Sequence, residues 1–154
     1  MENEQKEQIR EILEELLLKI GAEECRIETD EGMRGTVFNI LSRDSNLLIG
    51  QHGANLAALQ QIVNGIVFKK FKGTERFILD VDDYRRKREW YLRETAKKAM
   101  EQVKRTRRPV VLEPMSASER RVIHAFLSED FNFETESIGE EPNRRIVIRP
   151  KSGI

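Results

Sequence analysis

The chain is poor in the residues that usually announce an activity. It has one cysteine, Cys25, in 154 residues, which excludes an intramolecular disulfide and a cysteine-rich zinc site. Its two histidines, His52 and His124, lie far apart. Neither stands in a recognisable pattern with a nucleophile and an orienting carboxylate. The G-x-x-x-x-G-K-[ST] pattern of a nucleotidase is missing, and no paired carboxylates suggest a metal nuclease. No apolar run approaches the roughly 18 residues of a spanning helix. The first residues, Met1 to Lys6, are acidic and polar, unlike a secretory signal. The expectation is a cytoplasmic, non-enzymatic protein with no cofactor, no metal and no membrane insertion. Its length fits one medium domain or two small ones.

A net charge of zero hides a strong segregation. Met1 to Glu31 carries eleven acidic residues against Lys6, Arg10, Lys19 and Arg26, a net of −7. Arg85 to Arg108 carries eleven basic residues against Glu89, Glu94 and Glu101, a net of +8. Such a basic block is the footprint of a polyanion partner, or else a solvated helix face.

One stretch organises the rest: Leu47-Leu48-Ile49-Gly50-Gln51-His52-Gly53-Ala54-Asn55-Leu56. It reads as a helix end, a G-x-x-G loop and a new helix. Glycine adopts backbone angles that a Cβ forbids and lets another backbone come close. The following helix presents free N–H groups and a positive dipole end, a seat for phosphate oxygens. A G-x-x-G loop of this kind clamps about four nucleotides of a single strand in the KH module.

Along the chain, Ile9, Ile12, Leu13, Leu16, Leu17 and Ile20 form one helical stripe, ended at Gly21. Strands are expected at Cys25–Thr29 and Thr36–Leu41, with a turn at Asp30-Glu31-Gly32 between them. Asp44 or Ser45 can cap a short helix that ends at Gly50. The helix after the loop carries Leu56, Leu59, Ile62, Val63, Ile66 and Val67 on one side, and Lys69 to Gly73 ends it. Phe77–Val81 reads as a third strand. The expected fold class is α+β: three strands with helices on one face.

A long basic helix from Tyr84 to about Val103 has a seam of Leu92, Ala96, Ala99 and Val103. Trp90, Tyr91 and Met100 are expected to widen it. Trp90 and Tyr91 read either as stacking surfaces for bases or as packing residues, and packing is the favoured reading, more so for Trp90. Beyond Pro109 come a short strand, Val110–Leu112, and a helix opened by Ser116 with Glu119, a capping-box pattern. Arg120 and His124 stand four apart on that helix and share a face. Two strands follow, about Asn132–Ile138 and Arg144–Arg149, with a turn at Glu140-Glu141-Pro142-Asn143.

The order helix–strand–strand–helix–loop–helix–strand, with G-x-x-G between its central helices, resembles a type II KH domain over residues 1–83. Arg120-x-x-x-His124 resembles the R-three-H motif, with its flanks, over residues 105–154. Residues 84–104 then form a connecting helix. The combination is similar to the bacterial Jag family, the SpoIIIJ-associated proteins, here lacking their usual N-terminal domain. That resemblance implies binding of single-stranded nucleic acid, chiefly RNA, with single-stranded DNA as the other candidate. It also implies a link to cell elongation or division, and a small KH-domain protein as partner; a homodimer is the other form of self-association. The loop departs from the family in having Gln51 and His52 where a Lys is common, which weakens its pull on phosphate.

The expected interface is therefore Gly50, Gln51, His52 and Gly53 on phosphates. Ile49 and Leu56 lie beside unstacked bases, with Phe38 and Ile40 as further groove or core residues. Arg107, Arg108, Arg120, Arg121 and His124 make a second cationic surface. For the Arg120/His124 pair the competing reading is a local structural brace, and for Arg121 a solvated charge. The competing function is a protein-interaction adaptor that pairs through the KH domain.

Overall fold

The structure, a computed structural model, describes residues 1–72 and 75–152. Gly73, the expected helix end, lies outside them, as do the last two residues of the expected second module. The chain divides into two units, residues 1–85 and 86–152 of the described chain. Both are α+β.

In the first unit, α1 (Asn3–Lys19) is followed by strands β1 (Arg26–Gly32) and β2 (Gly35–Leu41). They form an antiparallel hairpin whose register closes at Gly32 opposite Gly35. The turn is thus Met33-Arg34, later than Asp30-Glu31-Gly32, because the pairing runs on past the acidic residues. Then come α2 (Ser45–Ile49), a short turn at Gln51–Gly53, α3 (Ala54–Lys70) and β3 (Phe77–Val81). The last strand pairs parallel with β2, giving the order β1-β2-β3. A parallel neighbour needs a crossover, and α2 with α3 supplies it. Alternate residues of β2, Thr36, Phe38 and Ile40, face inward. Phe38 and Ile40 meet Ile9, Leu13 and Leu17 of α1, Leu48 of α2, and Leu56, Leu59, Val63 and Val67 of α3 in one core. Cutting a fully buried side chain such as Leu13 to Ala costs about 2–5 kcal/mol.

Two expected core residues fall elsewhere. Ile62 is 52% and Ile66 39% exposed. The buried stripe of α3 runs 56, 59, 63, 67, and 62 and 66 flank it. Ile20, expected on the α1 stripe, is also exposed because that helix stops at Lys19.

The long helix α4 (Tyr84–Thr106) begins at the end of the first unit and continues in the second. Its seam, Leu92, Ala96, Ala99 and Val103, packs into the second unit's core with Leu112, Met115, Ile123, Leu127, Phe133, Ile146 and Ile148. The helix is thus part of that unit's packing from Arg86 onward. It ends where Arg107 takes φ +55° and its N–H reaches Val103 O at 2.8 Å. Beyond it lie β4 (Val110–Val111), α5 (Ala117–Leu127), β5 (Phe133–Ile138) and β6 (Arg145–Pro150). The strands form an antiparallel sheet in the order β4-β6-β5. The capping box at Ser116 is present: its Oγ accepts from Glu119 N, and Glu119 Oε2 accepts from Ser116 N.

Candidate nucleic-acid interface

The G-x-x-G loop is shaped by its backbone. Gly50 has φ +71° and Gly53 φ +80°. A Cβ on Gly50 would lie 2.5 Å from Asn55 Cγ, and one on Gly53 2.9 Å from Tyr84 Cε1. Both positions need glycine for conformation and for space. Asn55 fixes the far side of the loop: its Nδ2 donates to Leu47 O at 2.7 Å. Between the glycines, Gln51 and His52 are exposed, and His52 sits at φ +52°.

The loop amides are not all offered to a ligand. Gly50 N–H donates to Asn46 O, Gly53 N–H to Gly50 O and Ala54 N–H to Gln51 O. The cradle expected over Gly50–Gly53 is therefore partly used by the turn itself. What remains is the exposed pair Gln51 and His52, and the start of the 17-residue α3, where no side chain caps the helix and no acidic residue sits in the first turn. An anion there meets the positive end of the dipole without a competing carboxylate.

The apolar candidates separate by burial. Leu56 is 2% exposed, and Phe38 and Ile40 are fully buried. All three are core residues and offer no side-chain surface to a base. Ile49 is half-buried, packed against that core.

Arg120 and His124 brace the second unit. Arg120 is 7% exposed; its Nη1 donates to Met115 O and its Nη2 to Glu141 Oε1, each at 2.7 Å. His124 Nδ1 lies 2.7 Å from Thr135 Oγ1, and its Nε2 3.0 Å from Ser137 Oγ. The pair thus ties α5 to β5 and to the turn before β6. Burial, and then the nearby Arg120 charge, hold the imidazole below its ordinary pKa. A neutral ring offers no charge to a phosphate at neutral pH. Glu119 extends the brace: it is 7% exposed and accepts from Arg88 Nε at 2.7 Å.

The accessible cations lie elsewhere. Arg107, Arg108 and Arg121 are exposed, and among the described residues no side-chain hydrogen bond or ion pair holds them. In the second unit the open cations are thus Arg107, Arg108 and Arg121, while Arg120 and His124 belong to its internal scaffold.

Trp90 reverses its expectation. It is 65% exposed and is not part of the core. Helical geometry explains this: at 100° per residue, position 90 lies about 150° from the mean direction of the seam 92, 96, 99, 103. The pattern was readable in the sequence, but the size of the side chain argued the other way. Tyr91 is 54% exposed, with the Arg88 guanidinium 5.1 Å from its ring centre.

Among the described residues, no cluster of His, Cys, Asp and Glu could hold a metal ion, and no helix is long and apolar enough to cross a membrane.

Residues 91–150 match the family model of the R-three-H domain. Over 130 residues the chain is 39% identical to a Clostridium symbiosum protein named RNA-binding protein KhpB, covering 84% of this chain and 59% of that protein. Proteins of the same name resemble it in Bacillus subtilis, at 34% identity over 128 residues, and in Lactiplantibacillus plantarum, at 35% over 124. These alignments cover 81% and 79% of this chain. The chain spans 61% and 38% of those two relatives.

Proposed function

We propose that this chain, an R-three-H-domain protein with relatives named for RNA binding, is itself a binder of single-stranded RNA. The observation that carries the reading is the loop at Gly50–Gly53. Two glycines at positive φ hold Gln51 and His52 out to solvent at an uncapped helix start. The first unit is read as a type II KH module, on its element order and on this loop. The second unit, the R-three-H domain, supplies exposed cations at Arg107, Arg108 and Arg121. Phosphates meet helix dipole and guanidinium groups, and bases are left unstacked for apolar and aromatic contacts. The family resemblance extends the reading to regulation of cell elongation or division, which cell-length measurements after deletion would test.

Fluorescence anisotropy with a labelled RNA strand, the matching DNA strand and an RNA duplex tests the binding. The expected order is single-stranded RNA first, with loss in a Gln51→Asp/His52→Asp variant that remains folded. Equal binding by wild type and variant would remove the loop from the interface. No binding to any single strand would overturn the reading.

A second reading is favoured by one observation: Ile62 and Ile66, four apart, share an exposed face of α3. Pairing through the first unit, with a second copy or with a small KH-domain protein, would cover them. Light scattering that shows a monomer at all concentrations would remove the homodimer form.

A further inference from the structure

We propose that Trp90, with Arg86, Arg93 and Lys97, forms a base-stacking site for single-stranded RNA on the solvent face of α4. The proposal rests on the RNA-binding reading and adds a contact outside the loop and outside the Arg120/His124 pair. Trp90 is the only tryptophan of the chain, and it stands 65% exposed on the side of the helix opposite the buried seam.

Its surroundings select the ligand. Arg86, Lys87, Arg93 and Lys97 stand at i−4, i−3, i+3 and i+7 and Glu94 at i+4, so four cations and one carboxylate share its face. The α4 helix as a whole carries nine basic residues against three acidic ones. Arg93 pairs with Glu89 and Lys97 with Glu94, each at 2.7 Å. These are exposed pairs within one helix, weak enough to yield to a phosphate. An indole ring flanked by cations matches the chemistry of one nucleotide, a flat π face next to an anion. An apolar protein partner fits poorly, because covering Trp90 would bury the charges around it. Stacking is tolerant of base identity, so the site adds affinity with little sequence preference.

Because Trp90 is the sole indole, its emission reports on this site alone. The full chain is titrated with an unlabelled mixed-sequence RNA strand, in parallel with anisotropy of the labelled strand. Trp90 emission should quench along the same isotherm as the anisotropy. An abasic strand of equal length should bind without that quenching. Trp90→Ala should bind RNA about 5- to 150-fold more weakly, with the salt dependence unchanged, and Trp90→Phe should keep most of the affinity. The position is exposed, so both variants fold. Anisotropy that rises while emission stays constant, with Trp90→Ala binding as wild type, would overturn the proposal and leave RNA binding intact. No anisotropy change with wild type would overturn both.

Discussion

Arg120 of α5 and Glu141 of the turn before β6 form an ion pair at 2.7 Å in which the arginine is buried and the glutamate exposed. The asymmetry separates folding from binding. Removing Arg120 strips a donor from the buried Met115 carbonyl, whereas Glu141 can be rehydrated. Arg120→Ala is expected to cost about 1–3 kcal/mol of stability, the range for a buried group left unsatisfied. Arg121→Ala should stay within about 0.5 kcal/mol, as exposed substitutions do. Urea denaturation of the two variants measures the contrast.

His124 makes the fold sensitive to acid. Its folded pKa is depressed, by burial first and then by Arg120. Above the unfolded value of about 6.5 the ring is neutral in both states, and its full contribution to stability is present. As pH falls through that value the unfolded chain takes up the proton more readily, and stability is lost. Both hydroxyl partners can still accept from a charged ring, so the loss comes from burial and repulsion. The urea midpoint should be lower at pH 5.5 than at pH 8, and the difference should shrink in His124→Gln. An unchanged difference would place the acid sensitivity in other groups.

The loop glycines are required by the backbone itself. Gly53→Ala sets a Cβ against Tyr84, and Gly50→Ala sets one against Asn55, both at positive φ. Each should cost at least about 1–2 kcal/mol. Substituting Gln51 and His52 by Asp leaves the glycines in place, and Asp tolerates the left-handed angle at position 52. Thermal unfolding should therefore rank the double Asp variant near wild type and both alanine variants below it. If all four melt alike, the loop is not constrained as described.

The capping box sets the start of α5 and thus the position of Arg120 and His124. Ser116→Ala should cost about 0.5–2 kcal/mol. Hydrogen exchange should show the loss as faster exchange in the first turn of α5. Exchange unchanged there would mean that Glu119, held by Arg88, keeps the turn without the serine.

Local pattern made much of this legible. The apolar stripe of α1, strand β3, the capping box and the G-x-x-G loop all follow from spacing between near neighbours. What was not legible depended on distance. Nothing links Arg120 to Glu141 in sequence, 21 residues apart, so its helical spacing to His124 suggested a shared surface where the structure has a brace. Leu56 sits beside the loop in sequence, yet helical direction turns it inward. Trp90 shows the opposite failure: its angle on the helix pointed to solvent, and the habit of large aromatics to pack outweighed it. Ile62 and Ile66 flank a buried stripe so closely in angle that hydrophobicity alone could not separate face from edge.

The most direct test of RNA binding by exposed cations is the salt dependence of affinity for a single RNA strand. For single strands log K falls with log salt by about 0.7 per phosphate neutralised. Wild type is expected to show a slope steeper than one phosphate gives. Arg107→Gln/Arg108→Gln should flatten it by about 1.4, while Arg121→Gln should flatten it by about half as much. A slope shallower than about 0.7 in wild type, or one that the arginine variants leave unchanged, would contradict the account.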